Sequence, residues 1–527
     1  MNGPSRDSCW SVRMLIRHRP LVVRMLPCLL VCLAGGILRF ANLGGKVCYL
    51  DESATALRVG GHTVVEFCEF LDRSEAVPPA AIRRFQRLEA TRGVGDTVRA
   101  LMREEPQHPP LFYALERMWA GVAGDSLAAL RAGAAVLAVL AVPGLVWLGR
   151  ELWQNQATTR AALMLWSCSP FFVVYAQDAR EYGLWSALTI LASAALLRAA
   201  RTDRGWWCYG AIATAGLYTT LLFAAVLTAH AAWLATDRLA RCRWRGLTAA
   251  WALAIVCFSP WVVIGWEHRN EGLDQVAWMA VPRSFVALMR AWIFGIGAVV
   301  YDVRLSPGDD PWLGLIGCGV AVAVIVGAVA WWRSPDRRGA MFAMFLIAAN
   351  AAPLAAADVM LGGCRSTVPR FLVASWVGEL LVLAWLASRR QWLLATAIVL
   401  GLTAGLVRMP SQTSWHKYSG PRHLRLATAV NAARSPLLLA VPQGHHFNLL
   451  TLSHSLGDHV RIGSRSRSHE AERFSDVFIL LRPEVSAAQP PPSEASLVLD
   501  TGAEQLWRLP SGAGGVTPPE ARSLDAR

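Results

Sequence analysis

Charge is what this sequence holds least of. Asp, Glu, Lys and Arg make up 17% of its 527 residues, against 54% hydrophobic ones. A soluble chain carries about a quarter charged residues, so the composition excludes a soluble protein of this length. No Cys-x-x-Cys pair and no zinc-type spacing occurs among the 11 cysteines, which excludes a zinc module and a dithiol redox motif. No internal repeat is evident, which removes solenoids and arrays. A cleaved signal would end its short apolar core on a small-x-small site. Arg39 and Phe40 follow the first apolar stretch instead, so the stretch reads as an uncleaved helix.

What remains is a polytopic membrane protein. Several runs approach the roughly 20 apolar residues that cross a bilayer. The net charge of +14 comes from 51 Lys+Arg against 37 Asp+Glu, and much of the excess lies in short loops. More sits ahead of the first apolar stretch, at Arg6, Arg13, Arg17, Arg19 and Arg24. Loop charge of this sign follows the positive-inside rule and gives no reason to invoke nucleic acid. The 23 tryptophans suit interfacial belts; a carbohydrate-facing cavity is the more specific alternative. Cys28, Cys32, Cys168, Cys208, Cys257 and Cys318 lie in apolar runs and read as small hydrophobes. Cys48, Cys68 and Cys364 fall on the outer side and are the candidates for a disulfide.

The first helix covers about 21–42, and a long polar loop, 43–124, follows it. Its amphipathic pieces, 52–72 and 109–121, are expected along the membrane surface. Apolar segments recur near 126–148, 158–175, 182–200, 207–218, 220–235, 247–266, 312–332, 340–358, 370–387 and 391–408. Loops with Arg150/Arg160, Arg198/Arg201/Arg204, Arg238/Arg241/Arg243/Arg245, Arg333/Arg337/Arg338 and Arg389/Arg390 are expected to be cytoplasmic. Were 284–301 to cross, the loop 333–338 would fall outside, so that segment reads as interfacial or re-entrant. The fold expected is all-α and polytopic, with about eleven transmembrane helices, the N-terminus inside and the C-terminus outside. Residues 1–408 form the transmembrane domain. Beyond it, β-like runs at 437–441, 460–463, 477–481 and 496–499 alternate with helical stretches at 421–434 and 446–456. This predicts a small extracytoplasmic α/β domain over 409–527, with a loop at 490–492 and a disordered tail.

Four places carry groups that do chemistry. Asp51 and Glu52 follow the first helix on its far side. A carboxylate there can take the proton of an attacking hydroxyl; the plainer reading is that Asp51 caps the helix after it. Gln107-His108-Pro109-Pro110 opens a helix, and His108 at its positive end suits an anion such as phosphate. Asp178, Arg180 and Glu181 cluster at the next outer turn, either as substrate contacts or as a structural ion pair, and Arg39 is placed to join them. His268, Arg269, Arg365 and Arg370 are cations on the side that the positive-inside rule disfavours. They are candidate phosphate clamps or partners of lipid headgroups and loop acids. Gly362-Gly363 would let backbone N–H groups approach an oxyanion.

The order Arg39-Phe40, Tyr49-Leu50-Asp51-Glu52, His108-Pro109-Pro110-Leu111-Phe112-Tyr113, then Ser169-Pro170 through Asp178-Ala179-Arg180-Glu181-Tyr182 resembles glycosyltransferase family 39. That family comprises protein O-mannosyltransferases, aminoarabinose transferases and their bacterial relatives. The resemblance spans roughly residues 30–390, and Gly362 to Phe371 also looks familiar from bacterial relatives. It implies a GT-C fold, a cavity open to the outer leaflet and a polyprenyl-phosphate-linked sugar donor. On that analogy Asp51 is the catalytic acid, Asp178 an acid of the second outer turn, His108 the basic residue beside the prolines, and Arg269 a donor-phosphate contact. Two departures matter. Gln107 stands where relatives often carry an acid, with Glu104 or Glu105 as replacements, which puts the metal site of some relatives in doubt. The usual Glu-Ala-Arg-Pro-Tyr turn has Asp178 and Glu181 at its Glu and Pro positions, so the acid reaches one methylene less.

The function expected is inverting transfer of a sugar from a polyprenyl-phosphate donor to a lipid, glycan or protein acceptor, outside a bacterial inner membrane. Asp51 is the base; Glu52, Asp178 and Arg39 bind sugar or acceptor; His108, Arg269, Arg365 and Arg370 bind the donor phosphate. No metal or cofactor is required, and a divalent cation is compatible. The alternative is a lipid-linked-sugar transporter or flippase without catalysis, which needs charges at the midplane of several helices; the helix centres here read as apolar. A third reading is an inactive relative with a structural role.

Overall fold

The structure, a computed structural model, describes residues 25–237, 243–304, 311–414, 416–417, 419–466, 472–483 and 491–510. The arginines from Arg6 to Arg24, Arg238 and Arg241, residue 490 and the tail read as disordered lie outside the described residues.

Among the described residues, seven helices are long and apolar enough to cross a bilayer: Leu127–Leu152, Tyr182–Thr202, Trp244–Glu267, Trp312–Trp332, Arg337–Leu361, Pro369–Ala387 and Gln391–Arg408. Met25–Phe40, Phe223–Thr236 and Phe285–Ala298 are shorter apolar helices. Proline explains several breaks. The first long helix divides into Leu127–Val139 and Ala141–Leu152. Pro143 offers no N–H, and its ring crowds the carbonyl four residues back. Gln156–Cys168 stops where Pro170 opens Pro170–Ala176. Phe285–Ala298 has 14 residues, about 21 Å of helix against an apolar thickness of about 30 Å, and it packs on Pro311–Trp332. The helix centres are less apolar than the sequence reading held. Glu379 is buried within Val373–Ala387, and buried His230 meets the Ser193 hydroxyl at 3.2 Å and the Tyr209 hydroxyl at 3.1 Å.

The basic loops gather at one end of the bundle. Arg198 and Arg201 reach Glu151 at 3.3 and 2.8 Å, Arg243 meets Asp203 at 2.5 Å, and Arg338 pairs with Asp237. The opposite end is capped by the first long loop and the C-terminal segment together. The loop folds into Leu50–Gly60, Val64–Arg73, Pro79–Arg83, Val94–Glu104 and Leu111–Ala123.

The C-terminal unit is a five-stranded sheet of β1 (Pro436–Ala440), β2 (Arg461–Ser464), β3 (Asp476–Leu481), β4 (Ser496–Asp500) and β5 (Gln505–Arg508). The order is β2-β1-β3-β5-β4, with β1 parallel to β2 and β3, and β5 antiparallel to β3 and β4. Helix Gly420–Asn431 precedes β1, and Pro442–Leu452 crosses from β1 to β2. Loop and sheet share one core, in which Leu57, Phe67 and Phe85 pack with Leu426, Leu449 and Phe478. A lone bridge joins Val77 to Ile462. The boundary at 408/409 divides the chain but not this core.

Two expectations need correction. The single surface helix over 52–72 is two helices, because Gly61 ends the first in a left-handed turn at φ 79°. Residues 52–60 are buried, since the C-terminal unit covers the face expected against lipid. The disulfide candidates Cys48, Cys68 and Cys364 are free thiols. They sit in separate surroundings: Cys48 beside Glu52, Cys68 in the loop core, Cys364 against the Trp278 carbonyl.

Candidate active site

The acidic pair is divided by the helix it starts. Tyr49 is the N-cap of Leu50–Gly60, and the Glu52 carboxylate turns back to accept from the Tyr49 N–H at 3.1 Å. Glu52, rather than Asp51, therefore does the capping. Neighbouring helix positions point about 100° apart, so Asp51 faces elsewhere. Its side chain keeps 26% of its surface and lies 3.5 Å from Arg370, whereas that of Glu52 keeps none.

Arg370 comes from the short turn Pro369–Leu372, held by Asn350 on the Phe371 carbonyl at 3.1 Å and Trp376 on the Pro369 carbonyl at 2.8 Å. Tyr49, Tyr175 and Tyr182 surround its guanidinium along with Asp51. Next to this pair, Arg180 donates to the Tyr113 hydroxyl at 3.0 Å and lies 3.3 Å from both Glu181 Oε2 and His108 Nε2. His108 Nδ1 is 3.6 Å from Glu181 Oε1. Burial opposes charge on Glu181, but Arg180 and His108 outweigh it and hold the carboxyl at about 2.

A sealed network lies against these groups. Arg131 grips Glu52 through two bonds, at 2.8 and 2.7 Å, and donates to the carbonyls of Leu43, Lys46 and Val47. Lys417 Nζ lies 2.9 Å from Glu52 Oε1 and 2.9 Å from Asp178 Oδ1. His416 Nε2 is 3.3 Å from Asp178 Oδ2. Burial would favour the neutral acids, yet Arg131 and Lys417 bring Glu52 below the usual carboxylate range, and Lys417 and His416 do the same for Asp178. Burial also pushes the His416 imidazole down, against the pull of Asp178. Two carboxylates, Glu52 and Asp178, thus face Arg131 and Lys417, a balance of charge that a buried cluster requires.

The sequence candidates divide accordingly. Asp51, Arg370 and His108 gather where side chains retain some surface, while Glu52 and Asp178 are buried and committed to ion pairs. Arg39 does not join the cluster. It donates to the carbonyls of Gly35, Trp166 and Ser167 and stacks on Trp166, tying the first helix to Gln156–Cys168. Arg365 is taken by Asp358 at 3.1 Å and the Gly362 carbonyl at 2.8 Å. Gly363 beside it needs glycine, with φ 139° and no room for a Cβ against the Met279 carbonyl. Arg269 lies on Trp266, exposed, at the start of Arg269–Val276, a helix whose Gly272 approaches Gln107. A metal centre finds little to hold it there. Glu104 and Glu105 face Arg58 at 2.6 and 3.4 Å, and among the described residues no three His, Cys, Asp or Glu side chains converge.

Arg131, His416 and Lys417 escaped the sequence reading. Arg131 was visible in principle as a charge inside an apolar helix. For Lys417 the signal was scarcity: the chain contains two lysines, Lys46 and Lys417, in a sequence otherwise dependent on arginine. Both belong to this cluster, with Lys46 donating to the carbonyls of Arg408 and Ser411 at 2.7 and 2.9 Å.

Fold and site together define a class, the polytopic membrane proteins whose helical bundle carries a capped, charged site at one end. Residues 107–264 match the sequence model of the family described as dolichyl-phosphate-mannose-protein mannosyltransferase, a segment holding His108, Asp178 and Arg180. The resemblance to glycosyltransferase family 39 is thereby borne out. More particularly, the chain is similar in fold to ArnT from Cupriavidus metallidurans. In the apo state the TM-score is 0.55 at 13% identity, covering 95% of this chain and 100% of that one. With undecaprenyl phosphate bound to ArnT it is 0.53 at 14% identity, covering 93% and 98%. Among curated proteins no sequence matches.

Proposed function

We propose that this protein is an inverting glycosyltransferase that moves one sugar from a polyprenyl-phosphate donor to an acceptor outside a bacterial inner membrane. The observation that carries the reading is the division of the acidic pair: Glu52 is sealed and capping, while Asp51 stands partly open at 3.5 Å from Arg370. The acceptor hydroxyl oxygen bonds to the anomeric carbon, the carbon–phosphate oxygen bond breaks, and the proton passes to Asp51. The polyprenyl phosphate leaves with the electron pair, and Arg370 and His108 meet the charge that grows on it. Arg180 orients His108. Arg269, on the helix beside Gln107, guides the phosphate in from the rim. Cationic side chains suffice for this leaving group, so no metal is needed. The undecaprenyl phosphate bound to ArnT supports the donor class. The gathered basic loops support an orientation with that end in the cytoplasm and the capped end outside.

Asp51→Asn is expected to lower transfer by about a thousandfold, within the range for loss of a general base, with folding intact. Mass spectrometry of lipids co-purified with the variant and the wild type tests both halves. A polyprenyl-phosphate sugar on the variant and bare polyprenyl phosphate on the wild type establish the donor. Equal amounts of one intact glycolipid on both remove Asp51 from the base role and favour a transporter.

A further inference from the structure

We infer that Lys417 is a positioning residue for the transfer step, through which the segment leading into the C-terminal sheet holds the acid-bearing helix start in register. The inference rests on the reading of Asp51 as the base.

The segment after Gln391–Arg408 is built into the site bond by bond. Arg408 pairs with Asp302 and donates to Ser414, whose hydroxyl lies 2.6 Å from His416 Nδ1. Asn42 donates to the Met409 carbonyl at 2.9 Å, and the Val47 N–H to the Gln412 carbonyl at 2.9 Å. Residues 408, 409 and 412 are thereby fixed to the stretch just before Tyr49. Lys417 closes the circuit by bridging Glu52, in the first turn with Asp51, to Asp178 at the start of the turn that carries Arg180. Proton acceptor and phosphate-side cations stand on different elements; the Ala179 N–H on Glu52 and Arg180 on the Thr55 hydroxyl join them at 3.4 Å each, and the Lys417 ammonium adds the shorter, charged link at 2.9 Å to each carboxylate.

The choice of lysine is itself informative. A planar guanidinium presents a fixed fork suited to one carboxylate, whereas an ammonium directs three donors from a single point. Glu52 already has its fork, in Arg131. What remains is a point between two carboxylate oxygens, each 2.9 Å away. In a chain with so few lysines, one stands here.

The test compares wild type, Lys417→Arg, Lys417→Met, Asp178→Asn and the double variant Lys417→Met/Asp178→Asn for turnover and donor KM, alongside melting in detergent. Lys417→Met should reduce kcat by about a hundredfold, the effect of misplacement by about an ångström, with donor KM within about threefold. Lys417→Arg should melt near wild type yet lose about tenfold in kcat, because it keeps the charge and not the point geometry. The double variant restores neutrality, with Arg131 alone on Glu52, and should recover at least about tenfold over Lys417→Met. Should Lys417→Met fail to fold, Lys417→Arg carries the test, and wild-type turnover in that variant overturns the inference. Wild-type turnover in folded Lys417→Met overturns the inference, as does a double variant no more active than Lys417→Met. Undiminished turnover in Asp51→Asn sinks the assignment of the base instead, so the two failures are distinguishable.

Discussion

Glu116 and Glu181 show how one residue type takes opposite protonation in one protein. Glu116 is fully buried with neither carboxyl oxygen hydrogen-bonded, and burial raises it far above the usual range. Its contribution is present below the unfolded value of about 4 and is lost as pH rises. Glu181 is buried beside Arg180 and sits at about 2. Its contribution is present above about 4 and is lost as pH falls toward 2, a loss of about 3 kcal/mol. Melting in detergent between pH 2 and 5 is expected to show an acid limb that Glu181→Gln flattens. An unchanged limb in that variant would place the titration elsewhere. At this scale the sequence was partly legible. Adjacency marked Asp51 and Glu52 as a pair, but which acid is sealed depends on where Arg131 and Lys417 come to lie. The Glu52–Lys417 bond joins residues 365 apart, a separation that no local pattern encodes.

Among the elements, the turn at Gly61 shows how local chemistry directs the chain. Its positive φ stops Leu50–Gly60 and lets Val64–Arg73 fold back beneath the sheet, with Thr63 capping the second helix through the Glu66 N–H. A Cβ at Gly61 would stand 3.0 Å from that of Asp96. Gly61→Ala is expected to destabilise by about 1–2 kcal/mol, read as a lower melting temperature, with a wild-type melt telling against strain at this turn. Helices and strands were mostly legible, because apolar length and alternation survive in the sequence. β1 to β4 lie within a residue of the runs that forecast them. β5 was not seen: Gln505–Arg508 is four residues long, and its pairing with β3 rather than any pattern of its own makes it a strand. The amphipathic face of 52–72 was legible too, but whether lipid or a sheet covers it is not a local property.

Taken whole, the molecule is a helical bundle whose capped end is sewn from both ends of the chain. The expectation of a C-terminal α/β domain followed from the change of texture at 409; the shared core of loop and sheet was hidden because its two halves lie far apart in the chain, 385 residues in the case of Val77 and Ile462. The same architecture determines where amine chemistry can act. These 527 residues hold two lysines, so an acylating reagent meets two ε-amines among them. Lys417 is buried. Lys46 is half-buried, and burial, then Arg408 and Lys417, bring its ammonium down to about 8. An amine-directed ester at pH 7.5 should therefore mark Lys46 ahead of Lys417, as peptide mass spectrometry will show; equal labelling would mean that the seal over Lys417 opens. Lysine scarcity turns a general surface reagent into a reporter of a single locality.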